Sequence, residues 1–229
     1  MKSCRTQIFS GLRPTRLLVQ AILLFMCNTI THAQKPPLHY LEGFYAGVHG
    51  GLGSTTWEGL IPPMEKQNSA ILISTPVRVR EGGTVYGFFG GYDFTPHFGL
   101  ELMYSQYPDA RVDFSKFSLF AFKHNKRTYF NTSTKVFGLL AKLMIDIPET
   151  PFRLYSGAGL AKVCREDELL DQSRQSPTFS LGLMYDMTKH LMLEITVNYT
   201  AGFGVSELNP ASTYIPFLYS GTFGLAYKF

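Results

Sequence analysis

Alternating apolar and polar side chains run along most of the chain from residue 44 to its end. In the last thirteen residues, FLYSGTFGLAYKF, every second residue from Phe217 to Phe229 is aromatic, aliphatic or glycine, and those between are small or polar apart from Leu218. Successive side chains of a strand point to opposite faces, so this stretch predicts a strand with one apolar and one polar face. Seven earlier stretches show the same pattern: 44–56, 83–94, 98–107, 129–147, 152–163, 177–187 and 190–201.

The connections between these eight predicted strands alternate in length. Long connections at 58–82, 108–128, 164–176 and 202–216 alternate with short turns at 95–97, 148–151 and 188–189. An even number of strands of roughly 9–11 residues, joined in this rhythm, is typical of a transmembrane β-barrel. A secreted β-sandwich would also give alternation, but not so regular a loop rhythm. The sequence therefore predicts an all-β fold, an eight-stranded antiparallel up-and-down transmembrane β-barrel over residues 44–229.

The first 33 residues predict a secretory signal peptide. An apolar run from Leu17 to Ile30 follows several basic residues, and Ala33 is a suitable small residue at the cleavage site. The run is too short to cross a bilayer as a helix, which needs about 20 residues. Residues 34–43 are then expected to be a short periplasmic lead-in to the barrel. The basic residues of the leader are Lys2, Arg5, Arg13 and Arg16.

Removal of this leader changes the charge and the cysteine content. The chain has 21 basic and 17 acidic residues, and losing four basic residues leaves 17 of each. The formal charge of +4 therefore belongs to the leader, and no nucleic-acid partner is expected. Cys164 is the one cysteine left, so an internal disulfide or a cysteine-based zinc site is not expected. The histidines are scattered and the sequence has no Asp-rich calcium-binding loop, so neither a metal nor another cofactor is expected.

The leader, the eight alternating strands and the aromatic closing strand that ends at Phe229 resemble the small eight-stranded outer-membrane proteins. This group includes the OmpA transmembrane domain, the opacity proteins and their porin-like relatives. The resemblance covers essentially the whole predicted mature chain and is one of pattern rather than of motif. It implies a monomeric barrel in the bacterial outer membrane, in contact with outer-membrane lipid and lipopolysaccharide. It also implies that the barrel-assembly machinery reads Tyr227 and Phe229.

Charged side chains recur on the predicted polar faces, which should line the barrel interior. Glu101 and Lys142 lie on consecutive paired strands, so we expect them to be neighbours. An eight-stranded barrel is just wide enough for its own side chains, and an unpaired buried charge is costly, so a plug of ion pairs is predicted. A narrow channel constricted at Glu101, Lys142 and Glu194 is the alternative. The predicted interior charges are Glu101, Lys142, Arg153, Glu194 and Lys228.

A lipid-A-modifying enzyme is a third possibility, because some eight-stranded barrels acylate or deacylate lipid A. In the deacylase type, a histidine lies two residues before the nucleophilic serine on one strand. No His-x-Ser occurs after His49, His97 or His190, and the base must lie within hydrogen-bond reach of the hydroxyl. The sequence therefore predicts no enzyme. Catalytic residues contributed by different strands remain an alternative, because spacing along the chain does not test them.

The connection at 108–128 is the best candidate for contact with a partner. It is basic, with a net charge of +3, and aromatic residues are interleaved with its cations. Loops on a rigid scaffold commonly carry function, so this tip predicts a structural or adhesin-like surface role, with lipopolysaccharide, a host glycan or a host protein as the partner. The alternative is that the strands extend above the membrane and the aromatics pack together. The candidate contact residues are Arg111, Lys116, Phe117, Phe120, Phe122, Lys123, Lys126 and Arg127.

Overall fold

The computed structural model of this chain is an antiparallel sheet that closes on itself. It describes residues 43–61, 73, 75–167, 171–202 and 214–229. The predicted signal peptide, 1–33, and the lead-in up to residue 42 lie outside the described residues. The strands are β1 (Gly43–Thr55), β2 (Arg78–Arg80), β3 (Gly83–Thr95), β4 (Phe98–Gln106), β5 (Ala110–Asp113), β6 (Tyr129–Asp146), β7 (Phe152–Asp167), β8 (Asp171–Asp186), β9 (Leu191–Thr200) and β10 (Leu218–Lys228).

Eight of these strands form the barrel wall, in the order β1, β3, β4, β6, β7, β8, β9 and β10. The last strand pairs with the first, with Val48 opposite Leu225, and closes the ring. The short strands β5 and β2 extend the wall beyond β4 and β3, since β5 pairs with β6 and β2 pairs with β5. The predicted antiparallel eight-stranded barrel is confirmed. In the described part of the chain, no helix is long and apolar enough to cross a membrane.

The two faces of the wall differ in the way that the alternation predicts. Outward side chains such as Phe88, Leu102 and Val197 are exposed and apolar, while inward residues on the same strands are buried. An apolar belt outside and a mixed interior suit a wall that faces hydrocarbon. The interior combines aromatic and aliphatic side chains with the buried charges described below.

The predicted loop at 164–176 is wrong in its extent. Strand β7 continues to Asp167 and β8 begins at Asp171, and the two form a long hairpin with Cys164 opposite Ser173. The apolar and polar alternation stops here because this hairpin continues past the apolar belt. A strand that extends beyond the lipid has water and not hydrocarbon outside, so mostly polar or charged residues, such as Lys162, Glu166 and Gln175, occupy its outward positions.

The predicted loop at 108–128 contains the strand β5 and a short helix, α1 (Leu119–Lys123). The Ser118 hydroxyl accepts a hydrogen bond from the Ala121 amide at 3.1 Å and caps the start of the helix. The helix ends at Lys123, and the chain then turns at Asn125 and Lys126, whose φ angles of 51° and 66° are left-handed. A 3-10 helix, Trp57–Leu60, similarly lies at the start of the connection after β1.

Interior glycines make room for large inward rings. A Cβ at Gly182 would lie 2.4 Å from Tyr155 Cε1 and 2.6 Å from the Ile195 carbonyl oxygen. A Cβ at Gly91 would lie 2.4 Å from the Tyr45 hydroxyl. Both tyrosines are buried, so the space that a side chain would take at each glycine is occupied by a tyrosine ring from another strand.

We expect Gly182→Ala to lower the free energy of unfolding by about 1–3 kcal/mol, because the methyl group displaces the Tyr155 ring. Gly221→Ala is the matched control, since a Cβ at Gly221 meets nothing within 4 Å. Denaturant unfolding in lipid vesicles, followed by the difference in gel mobility of heated and unheated samples, measures both. Equal stability of the two variants would contradict this account of the glycine.

Candidate functional site

Three strands bring a lysine and two glutamates together at the centre of the barrel. Lys142 Nζ on β6 lies 2.8 Å from Glu101 Oε2 on β4 and 3.1 Å from Glu194 Oε2 on β9. Lys142 is fully buried and both carboxylates are nearly so. Each residue occupies an inward position of its strand, so the pleat alone directs all three side chains into the same space. We call these three residues the central charge group.

Hydroxyl groups complete the hydrogen bonding of the two carboxylates. The Tyr45 hydroxyl donates to Glu101 at 2.9 Å, and the Tyr155 hydroxyl donates to Glu194. The Thr196 hydroxyl donates to Glu194 at 2.6 Å. Lys142 Nζ also lies 3.9 Å from the centroid of the Tyr155 ring, a favourable distance for a cation–π contact. A buried charge group is stable only when its lone pairs are satisfied in this way.

A second group of charges lies near the end of the barrel where the short turns are. Arg153 contacts Asp93 at 3.7 Å and Asp186 at 3.3 Å. Lys228 forms an ion pair with the same Asp186. All five interior charges predicted from the sequence therefore lie inside the barrel, divided between two separate groups.

His49 and Ser105 form a polar contact that the sequence pattern did not predict. His49 Nε2 lies 3.0 Å from Ser105 Oγ, although β3 separates their strands. Gly87 is opposite both residues in the strand register, and a Cβ there would lie 2.9 Å from His49 Nε2. An inward glycine between two inward polar residues was the available signal.

The cavity beside this His–Ser pair is small. Its volume is about 20 Å³, and Glu101, Glu194 and Asn198 contribute to its lining. A cavity of that size holds about one water molecule, which is far too little for an acyl chain or an ester. Within the described residues, no three His, Cys, Asp or Glu side chains are grouped as a metal site.

At the opposite end, side chains from three connections form a packed cluster that we call the cap. Trp57 is fully buried, with its ring centroid 5.1 Å from Tyr214 and 6.0 Å from Phe130. Phe120 of α1 stacks on Phe114 at 4.4 Å. The members of the cap are Trp57, Ala110, Val112, Phe114, Phe120, Phe130 and Tyr214.

A half-buried carboxylate fixes the cap to the barrel rim. Glu81 accepts hydrogen bonds from the Trp57 amide at 2.7 Å, the Glu58 amide at 3.2 Å and the Thr55 hydroxyl at 3.0 Å. Burial raises the pKa of the Glu81 carboxyl above its ordinary value, although these three hydrogen bonds act in the opposite direction.

An arginine and a tyrosine fix the other side of the cap. Arg165 Nη1 donates to the Tyr214 carbonyl oxygen at 2.8 Å, and its Cζ lies 4.6 Å from the Trp57 ring centroid. The Tyr214 hydroxyl donates to the Thr56 carbonyl oxygen at 2.7 Å, and burial raises the pKa of that hydroxyl. Hydrogen bonds therefore hold the cap on both sides, and α1 packs on it.

The eight candidate contact residues of the 108–128 connection separate into two sets. Phe120 is packed in the cap, and Arg111 lies on β5, paired with Asp113 at 3.0 Å and stacked over the Tyr129 ring at 3.8 Å. The side chains of Phe117 and Phe122 are 90% and 88% exposed. The six exposed candidates and the neighbouring Leu119, which is also exposed, are called the tip: Lys116, Phe117, Leu119, Phe122, Lys123, Lys126 and Arg127.

The predicted assembly signal, Tyr227 and Phe229, lies at the end of the closing strand β10, on its outward face. Both side chains are exposed, and their ring centroids are 5.3 Å apart. The Phe229 amide donates to the Phe44 carbonyl oxygen at 2.9 Å, which ties the end of the chain to β1. Their reading by an assembly machinery stays a prediction.

A closed eight-stranded barrel with an apolar outer belt and a charged interior defines the class of small β-barrel membrane proteins. The family model described as "Outer membrane protein beta-barrel domain" matches residues 21–229, and the chain belongs to this family. It is accordingly a bacterial outer-membrane protein, as the sequence pattern predicted.

Solved structures share this fold at low sequence identity. The outer membrane protein OprG from Pseudomonas aeruginosa is 17% identical over 83% of this chain and 98% of its own, with a TM-score of 0.51. Neisserial surface protein A is 15% identical over 82% of this chain and 98% of its own, with a TM-score of 0.50. The N-terminal β-barrel domain of Pseudomonas aeruginosa OprF is 13% identical over 82% and 100%, with a TM-score of 0.46. No curated protein sequence matches this chain significantly.

Proposed function

We propose that this protein is a non-catalytic surface-interaction protein, an adhesin-like barrel that presents its tip to partners outside the cell. The observation that carries the proposal is the near-complete exposure of Phe122, on a helix whose other side is packed in the cap, and of Phe117, which lies just before that helix. Large apolar side chains that are held out in solvent on a rigid support are typical of an interaction site. Lipopolysaccharide of the surrounding leaflet and a host surface are the partner classes that a basic tip suits.

The barrel interior supports an anchor rather than a pore. The central charge group and the Arg153 group occupy the interior at two levels, and Lys142 is fully buried. A narrow diffusion channel is the alternative function, and it requires these ion pairs to separate. Planar-bilayer recording distinguishes the two functions, since a plug gives no reproducible conductance.

Replacing residues 115–127 with a short Gly-Ser turn is expected to reduce attachment of cells that display the protein to epithelial monolayers. The expected level is that of cells carrying the empty vector, because the whole tip is removed. Replacing the opposite turn, 148–151, with a Gly-Ser turn of equal length is the matched control and should leave attachment unchanged.

Both variants must first show the heat-dependent gel mobility of a folded barrel. Attachment that is the same with and without the tip would contradict the proposed function.

A further inference from the structure

We infer that the tip docks onto the surface of an apposed membrane that contains anionic lipid. This inference rests on the proposed function, since it names the partner class of the same site. The tip is convex: Phe117 and Phe122 project from it, and Leu119, which is 50% exposed, lies beside them. Projecting apolar side chains need a partner that can open around them, and the interfacial region of a bilayer does so.

The charges around these apolar side chains complement an anionic surface. Residues 115–128 contain Lys116, Lys123, Lys126 and Arg127, and no Asp or Glu. All four cations are exposed. An anionic leaflet attracts each such cation when it lies near the surface. Apolar and cationic groups on one exposed face are the combination that interfacial membrane segments use.

The cap orients this face away from the membrane that the barrel spans. Phe120 packs α1 into the cap, and Ala121 of the same helix is buried. The cap in turn includes the buried Val112 and Phe130 of the strands at the rim. The exposed side of α1, which carries Phe122, and the exposed Phe117 just before the helix therefore lie on the side away from the barrel.

The length of the wall gives the height of the tip. Strand β6 has 18 residues, which at about 3.4 Å per residue and a tilt of about 45° rises roughly 43 Å. The apolar band of an outer-membrane barrel is only about 25 Å tall. The tip thus stands well outside the hydrocarbon of its own membrane.

A sulfated glycan fits the tip less well. Such a polyanion would pair with the cations and leave Phe117, Leu119 and Phe122 without a function, because sulfate and hydroxyl groups do not bury apolar area. Binding that requires both the cations and the phenylalanines identifies a lipid surface, whereas binding that requires the cations alone identifies a polyanion.

The test uses the whole barrel in nanodiscs of phosphatidylcholine, mixed with vesicles that contain phosphatidylserine or phosphatidylcholine alone. Co-flotation should show binding to the phosphatidylserine vesicles only, weakened by salt. Phe117→Ser with Phe122→Ser should lower the affinity about 100-fold, since each buried ring contributes about 1.5–3 kcal/mol. Lys116→Gln, Lys123→Gln, Lys126→Gln and Arg127→Gln together should lower it at least 100-fold, at about 1 kcal/mol per cation.

Arg78→Gln with Arg80→Gln is the matched charge control, because these exposed cations lie on β2, outside the tip. It should change the affinity less than threefold, within the scatter of an uninvolved surface charge. Equal binding to both vesicle types, or full binding by the serine variant, would overturn the inference.

The outcomes of this test separate the inference from the proposed function. If no vesicle binds while the 115–127 replacement still abolishes cell attachment, the inference fails and the proposed function stands. If neither vesicles nor cells depend on the tip, both fail. Lipopolysaccharide retained by the nanodisc in a tip-dependent manner, without vesicle binding, would also overturn the inference, because the tip would then contact its own leaflet.

Discussion

Replacing Lys142 with methionine is expected to destabilise the barrel by about 3–5 kcal/mol, because it leaves two carboxylates buried beside each other without a cation. Glu101 and Glu194 each accept a bond from Lys142 Nζ, at 2.8 and 3.1 Å. The free energy of unfolding in lipid vesicles measures the loss. Lys162→Met is the matched control, since Lys162 is an exposed residue on the outward face of β7.

Removal of all three charges separates the cost of an unpaired charge from the cost of losing the pair. The triple variant Glu101→Gln, Lys142→Met and Glu194→Gln should recover most of the stability, because a neutral group no longer carries the large desolvation penalty. An equal loss in the single and triple variants would mean that packing around Lys142, and not charge balance, sets the stability of this site.

Trp57→Ala is expected to open the cap while the barrel itself stays folded. The fully buried Trp57 ring contacts Tyr214, Phe130 and Arg165, so its loss should cost about 3–5 kcal/mol locally. Opening makes the tip connection more accessible to protease. Trypsin added to intact outer-membrane vesicles should then cleave the protein faster after Lys116 and Lys123.

Phe117→Ala is the control for this aromatic deletion, since the Phe117 side chain is 90% exposed. Its cleavage rate should match that of the unmodified protein, and heat-dependent gel mobility should be the same in all three proteins. A Trp57→Ala protein that trypsin cleaves no faster would show that the cap does not depend on this ring.

The membrane-spanning part of the fold could be predicted from the sequence because a period of two leaves little choice of face. Strand bounds such as 83–94 and 190–201 differ by one residue at most from the observed Gly83–Thr95 and Leu191–Thr200. The same parity placed Glu101 and Lys142 inside. Outside the lipid, the rule that links parity to polarity no longer applies, and the sequence therefore predicts a loop at 164–176, where β7 and β8 continue as a hairpin.

Contacts that join distant connections could not be predicted, because no local spacing encodes them. Trp57 and Tyr214 meet in the cap only because the ring of strands closes. The same holds for His49 and Ser105, which meet across an intervening strand. Within the 108–128 connection, composition identified a basic aromatic segment but could not tell the packed Phe120 from the exposed Phe122.

The central charge group also selects one alignment of the strands from its competitors. Sliding β6 by one residue against its neighbours would turn every side chain to the opposite face, and the Lys142 ammonium would then enter hydrocarbon while Leu143 entered the lumen. A misaligned wall is thus much less stable than the correct one, because it would place the lysine in lipid and leave the two carboxylates without their cation. The position of a single lysine thereby favours the observed register over one shifted by a residue, independently of how much the ion pairs add to the stability of the correct wall.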